Sequence, residues 1–184
     1  MIDFNSPIFV GAGFDSPMGM FTDLFEPKGS WTLEHFNKKG ELLGKYELFP
    51  NGITTAGKNY ILGAGFHADS QVTTWYAALI DNSGFSALSA SDTMASHAGW
   101  TEFTTYSQST HVQWTCGSPS GASITNASVM TFDITGSGTL YGIYITSASA
   151  KSATTGTLWS TAAFPSTVPV SNGDSLKLTY TVNA

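Results

Sequence analysis

Short stretches in which apolar and polar residues alternate recur along residues 70–184 of this 184-residue chain. Near its end, Leu176, Leu178 and Tyr180 alternate with Lys177 and Thr179. A repeat of two residues puts one set of side chains on a buried face, which indicates a half-buried β-strand. Seven segments of strand character are predicted in this region: residues 72–80, 100–106, 111–116, 129–134, 139–146, 157–164 and 175–182.

Turn sequences rich in Gly, Asn and Ser separate several of these segments, notably at residues 81–84, 135–138 and 171–174. Many short strands divided by such turns are typical of two packed antiparallel sheets. The sequence therefore predicts a mainly β fold, an antiparallel β-sandwich with either jelly-roll or Ig-like strand order. We assign residues 59–184 to this sandwich body.

Residues 29–58 contain seven charged side chains, among them four of the seven lysines of the chain. Residues 31–36 and 44–49 have strand character, and Asn37-Lys38-Lys39-Gly40 between them is a turn sequence with Gly where a positive φ is favoured. This region is therefore predicted to form a β-hairpin followed by a turn.

A short helix is predicted after the hairpin. Either Thr54 or Thr55 can cap its N-terminus, and the helix is expected to end near Phe66. Gly57 and Gly63 weaken this prediction, because glycine lowers helix propensity.

Residues 1–28 form an apolar N-terminal arm with twelve large apolar side chains, five of them Phe. Their spacing fits neither a strand nor a helix, and Gly and Pro recur too often for a helix to persist. The arm either lies across its own domain or docks on another subunit, and we favour docking because an uncovered apolar arm is a large adhesive surface. The predicted partner contacts are Phe4, Ile8, Phe9, Phe14, Met18, Met20, Phe21, Leu24 and Phe25.

Composition excludes several classes of protein. All seven basic residues are Lys, the formal charge is −6, and only 11% of residues are charged, so the cationic face needed for nucleic-acid binding is missing. The apolar runs are too short for a membrane helix. The single cysteine, Cys116, excludes a disulfide framework and a cysteine-based zinc site, and we expect it to be a reduced, buried thiol.

Three groups of polar residues are candidates for chemical sites, and for each we favour a structural role. A metal site lacks ligand-type spacing, and residues 92–97 lack the nucleophile-elbow pattern of a hydrolase. Most of the acids that glycoside cleavage would need lie in turn sequences. The residues concerned are His67, Asp69, His97, Glu102 and His111 for a metal, Asp92, Ser96 and His97 for a hydrolase, and Asp69, Asp81, Asp92 and Glu102 for a glycosidase. We predict no catalytic residues, no metal and no cofactor.

Aromatic residues are numerous enough to suggest a platform that stacks on sugar rings, but a place in the sandwich core is the favoured interpretation. The residues are Trp31, Trp75, Trp100, Trp114, Trp159, Tyr76, Tyr106, Tyr141 and Tyr144. The glycosylation pattern Asn126-Ala127-Ser128 is expected to be accidental, since the N-terminus lacks a secretory signal.

Four blocks of sequence carry a resemblance to a known family. They read Asn-Gly-Ile-Thr-Thr-Ala-Gly-Lys-Asn at 51–59, Thr-Trp-Tyr-Ala-Ala-Leu-Ile at 74–80, Ala-Ser-Asp-Thr-Met-Ala-Ser-His-Ala-Gly-Trp at 90–100 and Val-Ser-Asn-Gly-Asp-Ser-Leu at 170–176. In these blocks the chain resembles structural proteins of tailed bacteriophages, and within them the jelly-roll cement or decoration proteins of short-tailed phages. The likeness covers about 130 residues. Residues 1–28 depart from it, so the role of the arm is inferred from composition alone.

The resemblance implies a virion protein that is made in the host cytoplasm and binds the outside of a phage head. Its implied partners are the major capsid protein and other copies of itself, with no nucleic acid and no membrane. Its implied action is to bridge shell subunits and stabilise the capsid without catalysis. The alternative is a receptor- or carbohydrate-binding module of a phage tail or fibre.

Overall fold

The computed structural model describes residues 26–184. All nine predicted partner contacts of the arm precede this range and lie outside the described residues. Within it the chain forms one helix and eleven strands: β1 (Lys28–Phe36), β2 (Leu42–Pro50), β3 (Gly52–Ile53), α1 (Thr55–Phe66), β4 (Trp75–Asp81), β5 (Glu102–Phe103), β6 (Val112–Trp114), β7 (Ser123–Thr125), β8 (Met130–Asp133), β9 (Gly138–Thr146), β10 (Leu158–Val170) and β11 (Ser175–Asn183).

The first sheet is antiparallel and has β1 and β11 at its centre. These strands pair along their whole length, from Lys28 opposite Asn183 to Phe36 opposite Ser175. The other edge of β1 pairs with β2, which confirms the predicted hairpin. The other edge of β11 pairs with β7 and β8. The hairpin is therefore part of the same sheet as the last strand of the chain.

The second sheet is also antiparallel, in the order β3, β10, β9, β4 and β5, with β6 also pairing with β4. Strands β9 and β10 are consecutive in the chain and form a long hairpin. The fold is thus mainly β, and the predicted β-sandwich is confirmed. The main core contains side chains of both sheets, among them Leu33, Leu178, Leu79 and Ile143, all of which are fully buried.

A smaller core covers the outer face of the second sheet. Ala78 and Ile80 of β4 pack there with Met94 and Trp100, which lie between β4 and β5. Because β4 is buried on both faces, residues 77–80 form a continuous apolar run and do not alternate. This covering segment supplies three of the polar candidates discussed below, Asp92, Ser96 and His97.

Helix α1 begins and ends where the sequence predicts. The Thr54 hydroxyl accepts a hydrogen bond from the Gly57 amide at 3.0 Å, so Thr54 is the N-cap. Gly57 is buried, and a β-carbon there would overlap the carbonyl oxygen of Trp159. This glycine therefore allows the helix to approach β10 closely, which explains its presence inside a helix.

Several strands differ in length from their predictions. Strand character at residues 100–106 is limited to β5, and at residues 111–116 to β6. Strands β3 and β7 were not predicted, because segments of two and three residues carry no periodic signal. Their conformation depends on pairing with β10 and β11 respectively.

Candidate functional site

The strongest cluster of titratable groups in the described residues lies beneath the segment that joins β9 to β10. His111 is at its centre and is fully buried. The His111 Nε2 atom lies 3.0 Å from Glu102 Oε1, and its Nδ1 atom lies 2.7 Å from the carbonyl oxygen of Ala148. Strand β5 supplies Glu102, and His111 immediately precedes β6. The contact therefore connects two short strands that pair with the same edge of β4.

Further donors surround the Glu102 carboxylate. The Ser152 amide donates to Oε2 at 2.6 Å, and the Tyr106 hydroxyl lies 3.5 Å from Oε1. The Lys151 ammonium donates to the carbonyl oxygens of Thr104 and Tyr106, at 2.9 and 2.8 Å. It also lies over the Tyr106 ring, 3.6 Å from the centroid. These contacts fasten the segment after β9 to residues 102–106.

The pKa shifts in this cluster follow from burial. Burial raises the pKa of Tyr106 and of Tyr144 well above the ordinary tyrosine value, and the nearby Glu102 carboxylate adds to both shifts. Burial lowers the pKa of Lys151, although Glu102 opposes that effect. Both tyrosines therefore stay protonated to high pH.

A pocket of about 260 Å³ opens beside this cluster, and its lining includes His97, Glu102, Tyr144 and Ser152. Each Glu102 oxygen and each His111 nitrogen already has a hydrogen-bond partner in the protein. A general base needs a lone pair directed at its substrate. The pair is instead engaged by internal contacts that brace the fold.

Asp92, Ser96 and His97 do not assemble into a nucleophile relay. The Asp92 carboxylate accepts hydrogen bonds from the Ser89 amide and the Trp100 indole, both at 2.9 Å. The His97 ring stacks on Trp100 with 4.0 Å between centroids, and its Nδ1 atom contacts the Trp100 carbonyl oxygen. These are local contacts that hold the covering segment, as the sequence interpretation favoured.

The metal-ligand candidates are also dispersed into pairs. His67 and Asp69 form an exposed pair just after α1, with 2.9 Å between Nδ1 and Oδ1. Glu102 and His111 form a buried pair, whereas His97 contacts Trp100. Among residues 26–184, no group of three or more His, Cys, Asp or Glu side chains is placed to hold a metal ion.

The four glycosidase candidates, Asp69, Asp81, Asp92 and Glu102, each hydrogen-bond to groups close to them. The Asp81 carboxylate, for example, accepts from the Ser83 amide two residues later, at 2.9 Å. This is a turn contact of the kind common for aspartate. The remaining three are engaged by His67, by Ser89 with Trp100, and by His111 with Ser152.

Most of the tryptophans lie in the core and not on a platform. Trp31, Trp100, Trp114 and Trp159 are buried, and only Trp75 is partly exposed. Trp31 stacks on Tyr180 with 4.2 Å between ring centroids. A sugar-stacking surface needs exposed ring faces, so these four residues do not provide one.

Two polar contacts of the core were not identified from sequence. His35 lies 3.0 Å from Asp174, and both side chains are buried. Alternation along β1 places His35 on the same inward face as Trp31 and Leu33, and this pattern could have shown that His35 needs a buried partner. The partner itself lies 139 residues away, so local sequence could not identify it.

Asn126, the residue of the glycosylation pattern, is a second contact of this kind. Its side-chain oxygen accepts from the Trp114 indole at 3.0 Å and from the Tyr180 amide at 2.8 Å. Its side-chain nitrogen donates to the carbonyl oxygens of Ser128 and Leu178, at 3.1 and 3.0 Å. The amide is thus fully used inside the fold. Cys116 nearby is half-buried and not fully buried, and burial raises the pKa of its thiol.

A groove of about 330 Å³ lies where the described chain begins. Its lining is mainly apolar and comes from residues 26–28, from Ile53 of β3 and from Lys58, Ile61 and Leu62 of α1. Leu62 is 53% exposed. An apolar groove next to an exposed leucine is a feature of a contact surface, since catalysis needs polar groups that converge.

Comparison with known proteins adds no relative: a scan of protein-family models found no match, and neither did a search of curated proteins. The phage resemblance therefore rests on the four sequence blocks alone. No helix in residues 26–184 has the length and apolar character needed to cross a membrane.

Proposed function

We propose that this chain is a non-catalytic structural protein that binds the outside of a bacteriophage head and stabilises the capsid. The contrast between the two parts of the chain carries the proposal. In residues 26–184 the candidate acidic and histidine side chains make internal hydrogen bonds. Residues 1–25 contain twelve large apolar side chains and no basic residue. A folded body joined to such a segment is suited to assembly with a partner.

The mechanism is stabilisation by mass action. A protein that binds the assembled shell, and not its separated subunits, raises the free energy needed to disrupt the shell. In this proposal the N-terminal segment contacts the shell or an adjacent copy, and the sandwich makes contacts between copies at symmetry axes. The low charge of the body, with hydroxyl side chains on its strands, is compatible with close packing of many copies.

The test is cosedimentation of the full-length protein with expanded empty phage heads and, separately, with intact host cells. Saturable binding to heads, together with a higher rupture temperature, supports the proposal. A variant without residues 1–25 should keep the circular dichroism of the sandwich, because β1 begins at Lys28, and should lose head binding. The matched control is Leu42→Ser with Leu43→Ser, which removes two exposed apolar side chains from the β2 end of the hairpin. This control should bind heads normally.

Binding to cells but not to heads would refute the proposal and favour the tail or fibre alternative, with Trp75 and Tyr76 as the first residues to examine. Binding to neither would refute both assignments. Full head binding by the truncated protein would show that the segment is not the contact.

A further inference from the structure

The groove beside α1 opens at the point where the chain enters the described structure. Glu26, Pro27 and Lys28 line the groove together with residues of α1. The five residues that precede Glu26 are Phe21-Thr22-Asp23-Leu24-Phe25, three of which have large apolar side chains. Because a chain extends at most about 3.5 Å per residue, all five lie within about 20 Å of the groove.

The size of the groove matches a small number of these side chains. An engineered cavity of about 150 Å³ in another protein binds benzene, which has the size of a phenylalanine ring. By that measure, a groove of about 330 Å³ accommodates about two such rings. Its apolar lining, which includes Ile53, Ile61 and Leu62, is suited to rings.

Charge is complementary as well. Residues 1–25 contain Asp3, Asp15 and Asp23 and no basic residue. The charged residues of the groove lining are Glu26, Lys28 and Lys58. Lys28 pairs with Glu26 at 3.5 Å, whereas none of the ion pairs in residues 26–184 involves Lys58. Asp23 lies next to Leu24 in sequence, so a docked segment brings a carboxylate to a groove that Lys58 lines.

We propose that residues 21–25 dock into the groove of their own chain, with Phe21, Leu24 and Phe25 covering Ile61 and Leu62. The occupant is the chain's own segment because tethering gives it a millimolar effective concentration, which a second copy reaches only at very high protein concentration. The segment is thereby divided into a proximal anchor and a distal part, residues 1–20, that remains available to a partner. This inference goes beyond the proposed function and does not depend on it, since it concerns the free protein.

The experiment compares thermal unfolding of full-length variants. Replacing Phe21, Leu24 and Phe25 together by Ser should lower the midpoint by about 5 °C, as expected for loss of a small apolar contact in a domain of this size. The matched control replaces Phe4, Phe9 and Phe14 by Ser, which removes three apolar side chains from the distal part. This control should leave the midpoint unchanged.

Leu62→Ser tests the groove from the other side. This side chain is 53% exposed, so the variant should fold. It should lower the midpoint in the natural chain by a similar amount, and should have no further effect in the Phe21, Leu24 and Phe25 triple variant. Additive effects, or equal effects of the proximal and distal triple variants, would overturn the inference.

The wild-type midpoint should not change between micromolar and hundred-micromolar protein. A midpoint that falls on dilution, with dimers or larger species in sedimentation velocity, would also overturn the inference and identify a second copy as the occupant. None of these measurements uses phage heads, so a failure here is distinct from a failure of the proposed function.

Discussion

The Nε2 atom of His111 lies 3.0 Å from the Oε1 atom of Glu102 in the interior, while its Nδ1 atom faces the carbonyl oxygen of Ala148. The Tyr144 hydroxyl also lies 3.4 Å from Nε2. Through these contacts His111, the residue before β6, is joined to β5, which supplies Glu102, and to the segment after β9, which supplies Ala148.

Glu102→Ala should destabilise the protein by about 3 kcal/mol, because it leaves His111 Nε2 and the Ser152 amide without their buried partner. Glu102→Gln is the matched control. Its amide group can donate to His111 Nε2 while its oxygen accepts from Ser152, so a neutral histidine satisfies every contact. The expected change for this variant is less than about 1 kcal/mol. Urea unfolding measures both values, and equal losses would show that the carboxylate charge itself is required.

Asn126→Ala should lower the free energy of unfolding by about 2 kcal/mol, because the Trp114 indole and the Tyr180 amide lose their acceptor. Ser128→Ala abolishes the same glycosylation pattern but leaves the contact intact, since Asn126 bonds to the Ser128 backbone. That control should stay within about 0.5 kcal/mol of the natural protein. Chemical denaturation of the two variants provides the comparison, and similar losses would contradict a structural role for the amide.

Substitution by alanine should have opposite effects on stability at two glycines of α1. Gly57→Ala should cost about 1 to 3 kcal/mol, because the new methyl group meets the Trp159 carbonyl oxygen. A β-carbon at Gly65 meets nothing within 4 Å, so Gly65→Ala should stabilise the protein by about 0.5 kcal/mol through helix propensity. Thermal melts distinguish the two signs. A stabilising Gly57→Ala would show that α1 does not approach β10 as closely as described.

Stability should fall at alkaline pH because three buried tyrosines resist ionisation. Burial raises the pKa of Tyr180 to about 12, and it raises those of Tyr106 and Tyr144 as well. The ordinary value is about 10, so between pH 10 and 12 the unfolded chain releases protons that the folded chain retains. Each of these tyrosines then lowers the free energy of unfolding by about 1.4 kcal/mol per pH unit. Below pH 10 this contribution is constant.

Denaturant titrations at pH 9, 10 and 11, with tyrosinate absorbance as a second readout, measure that slope. Tyr144→Phe is the matched variant, because the ring stays in the core and only a 3.4 Å contact with His111 is lost. The free energy of unfolding of this variant should decline less steeply above pH 10. The difference in slope should be about 1.4 kcal/mol per pH unit, which is the contribution of one tyrosine. A slope identical to that of the natural protein would show that Tyr144 ionises in the folded state.

Several elements of the fold could be predicted from local patterns of residues. Alternating residues predicted β11, turn residues predicted the hairpin of β1 and β2, and a capping threonine predicted the start of α1. These signals are local because periodicity and turn chemistry depend on neighbours within a few residues. The structural role favoured for residues 92–97 was likewise available from short-range hydrogen-bonding preferences.

The contacts between residues distant in sequence could not be predicted in this way. Strands β1 and β11 lie at opposite ends of the described chain, yet they pair at the centre of one sheet. His35 and Asp174 are 139 residues apart and become a buried pair. The sequence named Glu102 and His111 among possible metal ligands, but their role as a mutually satisfied pair depended on how β5 and β6 flank β4. Such contacts follow from the packing of two sheets, and no local periodicity encodes that packing.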